Sequence, residues 1–126
     1  MTKRAIEAPP MKALGPYNLA VEADGTLYVS GQLHIDPNSG DLLQGSIADQ
    51  TKQCLENLKS VLSAADYSFE DIVKTTVFLA DIADFPDMNE VYATYMTKPF
   101  PARSTIQVAA LPLGARVEIE AIAKKS

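Results

Sequence analysis

Apolar residues recur at every third or fourth position across residues 46–66, and this spacing predicts a helix that buries one face. Ser46 stands at the start of the run and can cap it, with Asp49 three positions further on. Lys52 and Lys59 lie on the opposite face, so one side of the helix should pack and the other should meet solvent. The predicted buried face consists of Ile47, Thr51, Cys54, Leu55, Leu58, Val61, Leu62 and Ala65.

A second apolar face at helical spacing predicts another amphipathic helix after residue 84. Asp84 has the residue type of a helix N-cap, and Pro86 is tolerated in a first turn, where its missing N–H is not needed. Lys98-Pro99 ends the helix, because proline cannot continue it. The apolar face consists of Phe85, Met88, Val91, Tyr92, Tyr95 and Met96.

The remaining apolar stretches are short and favour strands. An Asp-Gly pair, the strongest short turn signal, joins two strands of a hairpin within residues 18–32. β-branched residues dominate segment 71–80, which is too short for a typical helix. Two more strands are predicted over residues 104–108 and 116–123, with the turn LPLGAR between them.

The predicted order of elements is therefore β-β-α-β-α-β-β. This order favours the α+β class, with two helices packed on one face of a single sheet. The length of 126 residues suits one domain, which we expect to span residues 1–126. The pattern contains no third helix for the other face of the sheet. We therefore expect another subunit to cover it in a homo-oligomer.

The amino-acid composition argues against several classes of function. The net charge of -5 and the pI near 4.7 argue against broad nucleic-acid binding, which needs a cationic surface, and against a basic membrane-surface helix. A single cysteine excludes a disulfide framework or a multi-cysteine metal site within the chain. No signal peptide or membrane-spanning run is recognisable, so we expect a cytoplasmic protein.

Few residues have the type and spacing of a catalytic site. His34 is the only histidine, and with no carboxylate partner in view it is expected to be a surface or strand-end residue rather than a base. Cys54 lies on the apolar face of the first helix and is expected in the core. The acidic residues follow no metal-binding order, so no metal site is predicted.

Arg103, Glu118 and Glu120 remain as candidates. Alternation along a strand places Arg103 and Thr105 on one side, and it places Glu118 and Glu120 on a common face of the last strand. The glutamates are either solvated or, if a subunit covers them, paired or functional. The planar fork of Arg103 could grip a substrate carboxylate or pair with one of the glutamates. The residues alone leave these alternatives open.

Five motifs, in order and at matching spacing, resemble the RidA/YjgF family of reactive-intermediate (enamine/imine) deaminases over nearly the whole chain. They are GPY (15–17), VSGQ (29–32), DIVKTTVFLADIADFPDMNEVY (71–92), FPARSTIQVAALP (100–112) and VEIEAIA (117–123). The resemblance implies a chorismate-mutase-like fold. It also implies a homotrimer with a central β-barrel and clefts between subunits. The implied activity is hydrolysis of 2-aminoacrylate, 2-iminopropanoate and 2-iminobutanoate to 2-oxo acids and ammonia, with no cofactor.

The resemblance also assigns roles to residues. It implies that Arg103 binds the substrate carboxylate and that Glu118 positions the attacking water. Thr105 stands where the family commonly has cysteine, which excludes thiol chemistry there but keeps the backbone N–H and C=O as expected substrate contacts. Further residues implied to line the cleft are Tyr17, Ser30, Gly31 and Asn89.

Two alternatives to a deaminase stay open. A trimer with an arginine in its cleft could bind 2-oxo acids or related carboxylates without catalysis. The departure from cysteine at Thr105 is compatible with this alternative. A ribonuclease or translation inhibitor, an activity attributed to some relatives, is disfavoured by the negative charge and by the absence of a histidine pair.

Overall fold

The computed structural model describes residues 2–125 and contains a six-stranded sheet with two α-helices packed on it. The sheet order is β1-β2-β3-β6-β4-β5, antiparallel throughout except for the parallel pair β4–β5. The strands are β1 (Arg4–Ile6), β2 (Ala20–Ala23), β3 (Thr26–Leu33), β4 (Ile72–Leu79), β5 (Ala102–Gln107) and β6 (Val117–Lys124). The helices are α1 (Ile47–Ala64) and α2 (Phe85–Tyr95).

The predicted α+β class is confirmed, with two differences in the strands. The prediction lacked β1, which is only three residues long and carries no alternation that would have marked it. Strand β5 begins at Ala102, two residues earlier than predicted, because its pairing with β4 starts at Lys74. Arg103 therefore lies within the strand rather than before it, and its side chain has the fixed direction of a strand residue.

Helix α1 follows its prediction closely and packs on the sheet. The Ser46 hydroxyl accepts a hydrogen bond from the Asp49 N–H at 3.1 Å, which caps the helix. Cys54 is fully buried in the core, as predicted, with its thiol 3.5 Å from the Val117 carbonyl of β6. Asn57 donates to the carbonyls of Leu33 and Ile35 at 3.0 and 2.8 Å, and so holds the end of β3 against the helix.

The start of α2 differs from its prediction. Asp84 occupies the N-cap position, but its side chain forms no capping hydrogen bond. Instead Asp81 caps a short 3-10 turn before the helix, by accepting from the Ala83 N–H at 2.9 Å. The Asp84 carboxylate is used elsewhere, since the Arg116 guanidinium binds it at 3.3 Å. The charge of Asp84 thus ties α2 to the start of β6.

His34 follows directly after β3, as a strand-end residue should, but the expectation of a surface position is wrong. The residue is only 2% exposed. Its Nδ1 lies 3.0 Å from the Leu43 carbonyl, and its Nε2 accepts from the Arg116 N–H at 3.0 Å. These partners require a neutral ring with the proton on Nδ1. Burial lowers the pKa of His34, which favours that neutral form.

The face of the sheet opposite the helices is uncovered in the described chain. Tyr28, Ile106 and Ile122 project from it and are 48%, 46% and 38% exposed. The same face carries Glu118 and Glu120, because alternate residues of a strand point the same way and both glutamates alternate with Ile122 along β6. Within residues 2–125, no helix is long and apolar enough to cross a membrane.

Candidate functional site

The first part of the site is built on a β-bulge in β3. Val29 pairs with Ala121 and Gln32 with Ile119, so Ser30 and Gly31 together oppose one residue of β6. Such bulges locally redirect a strand and are frequent beside active sites. The Ser30 hydroxyl donates to the Asn18 carbonyl at 2.6 Å, which fixes the adjoining loop and with it Tyr17.

Glu118 lies across Gly31 at a distance that leaves no room for a side chain there. A Cβ atom on residue 31 would lie 2.6 Å from both Cδ and Oε2 of Glu118, far inside van der Waals contact. The backbone of residue 31 does not need glycine for its conformation, since its φ is not in the left-handed region. The glycine is therefore explained by the close approach of the carboxylate.

The environment of Glu118 makes its carboxylate more basic than usual. The side chain is half-buried, and burial raises its pKa, with the negative charge of Glu120 as a smaller cause. A carboxylate with a raised pKa takes a proton from water more readily at neutral pH. Glu118 thus has the electrostatics expected of a general base.

Tyr17, Gly31 and Glu118 line one cleft of about 690 Å³. Its other walls are largely apolar and come from residues 10–14 and 35–40. The Tyr17 hydroxyl accepts from the Leu14 N–H at 3.2 Å, which places the ring at the edge of the cleft. The cleft can therefore hold a small molecule with its reactive carbon beside Glu118.

The second part of the site surrounds Arg103 on β5. Arg103 pairs with Thr75 of β4, so it lies on the helix-covered side of the sheet. Its guanidinium carbon lies 4.6 Å from the ring centroid of Tyr92 and 5.4 Å from that of Phe85. Within residues 2–125 the guanidinium forms no ion pair and donates no side-chain hydrogen bond. Its N–H donors therefore remain available to an anion.

Thr105 and Asn89 lie close to Arg103 in the fold. Thr105 is two residues further along β5 on the same side, and its hydroxyl is buried without a hydrogen-bond partner among the described residues. Asn89 is one helical turn after Phe85 and one before Tyr92, so it shares the face of α2 that meets Arg103.

The chain by itself does not bring the two parts together. Arg103 is level with Thr75 of β4, whereas Glu118 is level with Phe78 and points to the opposite side of the sheet. The two residues are thus separated by about 10 Å along the strands and by two strand spacings, about 10 Å more, across them. An ion pair of Arg103 with Glu118 or Glu120, one of the alternatives left open by the sequence, is absent between the described residues of one chain.

Three residues beside Arg103 were not predicted as part of a site. Phe85 and Tyr92 were assigned to the apolar face of α2, and Thr75 to a buried strand, and all three assignments are correct. Their contact with Arg103 depends on the packing of α2 over β4 and β5. A helical period shows that a tyrosine faces inward, but it does not show which side chain it will meet.

Comparison with known proteins identifies the group to which this architecture belongs. A family model described as endoribonuclease L-PSP matches residues 6–125. The chain belongs to this family. It is the RidA/YjgF family that the five sequence motifs resemble, so the resemblance is confirmed.

Members of the RidA/YjgF family match this chain over most of its length. A Mus musculus protein named 2-iminobutanoate/2-iminopropanoate deaminase is 54% identical over 111 residues, covering 88% of this chain and 82% of the mouse protein. The structure of RidA from a Psychrobacter species is 41% identical, with a TM-score of 0.92, and covers 97% and 99% of the two chains. The structure of E. coli TdcF with bound serine is 39% identical, with a TM-score of 0.91 and coverage of 98% and 99%.

Proposed function

We propose that this protein hydrolyses 2-aminoacrylate, 2-iminopropanoate and 2-iminobutanoate to 2-oxo acids and ammonia. The observation that carries the proposal is that neither the Arg103 guanidinium nor the more basic Glu118 carboxylate forms an ion pair within residues 2–125. The named activity of the mouse relative supports the reaction class. Removal of these reactive imines would protect the pyridoxal-phosphate enzymes that release them.

The roles of the two charges follow from the chemistry of an imine. Arg103 binds the substrate carboxylate through two N–H donors, which holds the adjacent imine carbon in one place. The structure of E. coli TdcF contains bound serine, which also carries a carboxylate, and this supports a small carboxylate as the kind of ligand for this fold. Tyr17, Ser30, Gly31, Asn89 and the backbone of Thr105 are the proposed walls of the cleft.

Hydrolysis of the imine then needs one water and three proton transfers. The enamine first takes a proton from solvent at C3, which gives the protonated imine, and the C=N carbon of this ion is electrophilic. Glu118 accepts a proton from water as the water oxygen bonds to that carbon. The resulting carbinolamine loses ammonia when its C–N bond breaks, with Glu118 returning the proton to the leaving nitrogen. The hydroxyl proton passes to the Glu118 carboxylate as the C–O bond becomes the carbonyl of the 2-oxo acid.

We propose further that neighbouring copies in a homotrimer complete each cleft, with the uncovered sheet faces around a central barrel. The separation of Arg103 from Glu118 within one chain supports a shared site, and so does the exposure of Tyr28, Ile106 and Ile122. Mixing Arg103→Ala with Glu118→Gln subunits tests this assembly. A random 1:1 mixture should regain about a quarter of the wild-type sites, because about three quarters of its trimers are mixed and each mixed trimer contains one intact cleft of three. No recovery after verified subunit exchange would contradict a shared cleft.

The activity itself is tested by the lifetime of 2-aminoacrylate released by serine dehydratase. The wild-type protein should shorten it, and Arg103→Ala should not. Arg4→Ala is the matched control. Arg4 is an exposed arginine on β1, and its guanidinium lies 2.9 Å from the Glu22 carboxylate of β2. Full activity of Arg103→Ala would overturn the proposal. Saturable binding of a 2-oxo acid with no change in imine lifetime would identify a carboxylate-binding protein instead.

RNA cleavage is a second candidate, and the description of the matching family model favours it. The site gives it little support. The only histidine has both ring nitrogens engaged by Leu43 and Arg116, and the net charge is -5. Incubation with single-stranded RNA, together with a binding titration at low salt, tests this candidate. Cleavage that survives Glu118→Gln would establish a separate ribonuclease function.

We also propose that the chain acts as one domain, residues 1–126, in the cytoplasm. The free thiol of Cys54, buried in the core, is in keeping with a reducing compartment. Fractionation of cells that express a tagged copy would test the location.

A further inference from the structure

We propose that Tyr92 is a positioning residue for Arg103, and that the Thr75 hydroxyl holds Tyr92 in place for this role. The inference rests on the proposed function, in which Arg103 binds the substrate carboxylate. It adds a residue that orients the arginine without touching the substrate.

The Tyr92 ring is the nearest aromatic group to the guanidinium. The guanidinium carbon lies 4.6 Å from its centroid, within the range of a cation–π interaction, and Phe85 makes a longer contact at 5.4 Å. Among residues 2–125 no carboxylate pairs with Arg103. A long side chain without such a partner would otherwise sample several rotamers, and ordering it has an entropic cost. The rings are therefore what restrains the guanidinium within the chain.

Tyr92 is itself fixed by the sheet. Its hydroxyl lies 2.7 Å from the Thr75 hydroxyl, and both groups are buried. Thr75 is the residue of β4 that pairs directly with Arg103 of β5. The Thr75 hydroxyl on β4 thus holds the Tyr92 ring, and the ring contacts the guanidinium of Arg103 on the adjacent strand β5. These two contacts set the position of the guanidinium relative to the sheet.

The contact with the Tyr92 ring uses none of the hydrogen-bond donors of the arginine. A cation–π contact attracts the positive charge to the face of the aromatic ring and does not need an N–H donor of the guanidinium as a hydrogen-bond partner. A carboxylate partner within the chain would occupy two of those donors and compete with the substrate. An aromatic ring orients the charge and leaves the donors for the substrate carboxylate.

The test uses the affinity for 2-oxobutanoate, a stable carboxylate that resembles the product. Tyr92→Leu removes the ring and should raise Kd by about tenfold. Tyr92→Phe keeps the ring but loses the hydrogen bond, and Thr75→Val loses the same bond from the other side. Each of these two should raise Kd by about twofold to threefold. In imine hydrolysis the same variants should raise KM more than they lower kcat.

Tyr95→Leu is the matched control for lost packing. Tyr95 is also on α2, pairs with the Phe69 ring at 5.7 Å and donates to Glu56 at 2.6 Å, without a cation–π contact to Arg103. It should lower thermal stability and leave Kd unchanged. If Tyr95→Leu raises Kd as much as Tyr92→Leu, or if folded Tyr92→Leu binds like the wild type, the inference is wrong. If Tyr92→Leu does not fold, an unchanged Kd in both Tyr92→Phe and Thr75→Val overturns the role of the Thr75–Tyr92 hydrogen bond.

Arg103→Ala separates this inference from the proposed function. When Arg103→Ala abolishes 2-oxobutanoate binding and Tyr92→Leu does not weaken it, only the positioning role fails. When Arg103→Ala binds 2-oxobutanoate like the wild type, the proposed carboxylate site itself fails.

Discussion

The two faces of the sheet differ in how far their side chains are buried and paired within the chain. The face under the helices buries apolar residues of β4 and β6 completely, including Val77, Leu79 and Ile119. Its buried hydroxyl of Thr75 is paired with Tyr92. The opposite face leaves Ile106 and Ile122 exposed, among other apolar residues. It also carries two neighbouring carboxylates, Glu118 and Glu120, neither of which forms an ion pair within residues 2–125.

This difference indicates where stability and chemistry reside. The covered face stabilises the individual chain, because its contacts are complete within that chain. The uncovered face holds a basic carboxylate and apolar groups that gain from association. Arg103 belongs to neither extreme, since it points to the covered side but lies on the edge strand β5, where an adjoining molecule can reach it.

The largest expected effect on activity is that of Glu118→Gln on the uncovered face. The amide cannot accept the proton of water, so the accelerated imine hydrolysis should fall by about a hundredfold or more. Stability should not fall, because burial disfavours the charged carboxylate in the wild type. Imine decay and urea unfolding measured on one preparation check both parts. A loss of activity below threefold would remove Glu118 from the mechanism.

Leu79→Ala and Ile122→Ala test the difference in stability between the faces. Leu79 is fully buried, so its truncation should lower the free energy of unfolding by about 2–5 kcal/mol at every protein concentration. Ile122 is partly exposed within the chain, so its truncation should act mainly through self-association and depend on concentration. Urea unfolding at several protein concentrations measures both. An equally large, concentration-independent effect of Ile122→Ala would contradict the distinction.

Gly31→Ala should lower kcat/KM by about tenfold, because a methyl group would displace the Glu118 carboxylate from its position. Gly15→Ala is the matched control, since a Cβ there would meet the Tyr17 ring at an ordinary 3.6 Å. That variant should keep its activity within about twofold. Equal losses in the two variants would show that the close approach to Glu118 is unimportant.

The smallest expected effects are two pH dependences, that of stability through His34 and that of activity through Glu118. Burial lowers the pKa of His34, so the unfolded chain binds a proton at a higher pH than the folded chain. Stability from neutral His34 is therefore present above the usual histidine pKa of about 6.5 and falls on acidification, with a slope of at most about 1.4 kcal/mol per pH unit. Thermal unfolding between pH 7.5 and 5.5 should show this loss, and His34→Gln should flatten it.

Activity should respond to a different group as the pH falls. The pKa of Glu118 is raised, so imine hydrolysis should decline on acidification as that carboxylate takes a proton. The decline should persist in His34→Gln. If His34→Gln abolishes the pH dependence of activity as well as that of stability, the pH dependence of activity comes from His34 and not from Glu118.

Local patterns in the sequence were sufficient for much of the fold. Helical spacing identified both helices, and the cap at Ser46 was correct. The Asp24-Gly25 turn was also correct, with φ values of 51° and 75°. Alternation in the last strand placed Glu118 and Glu120 on one face. These features were predictable because each depends on residues a few positions apart, whose side chains must share a face.

Other features required contacts between distant segments. Strand β1 exists because it pairs with β2, and Glu118 meets Gly31 because β6 inserts between β3 and β4. The contact of Arg103 with Tyr92 depends on how α2 lies over the sheet. Sequence period determines which way a side chain points, whereas strand order and helix packing determine what it meets. The two charges of the candidate site were thus predicted from the sequence, but their placement on opposite sides of one sheet came from the fold.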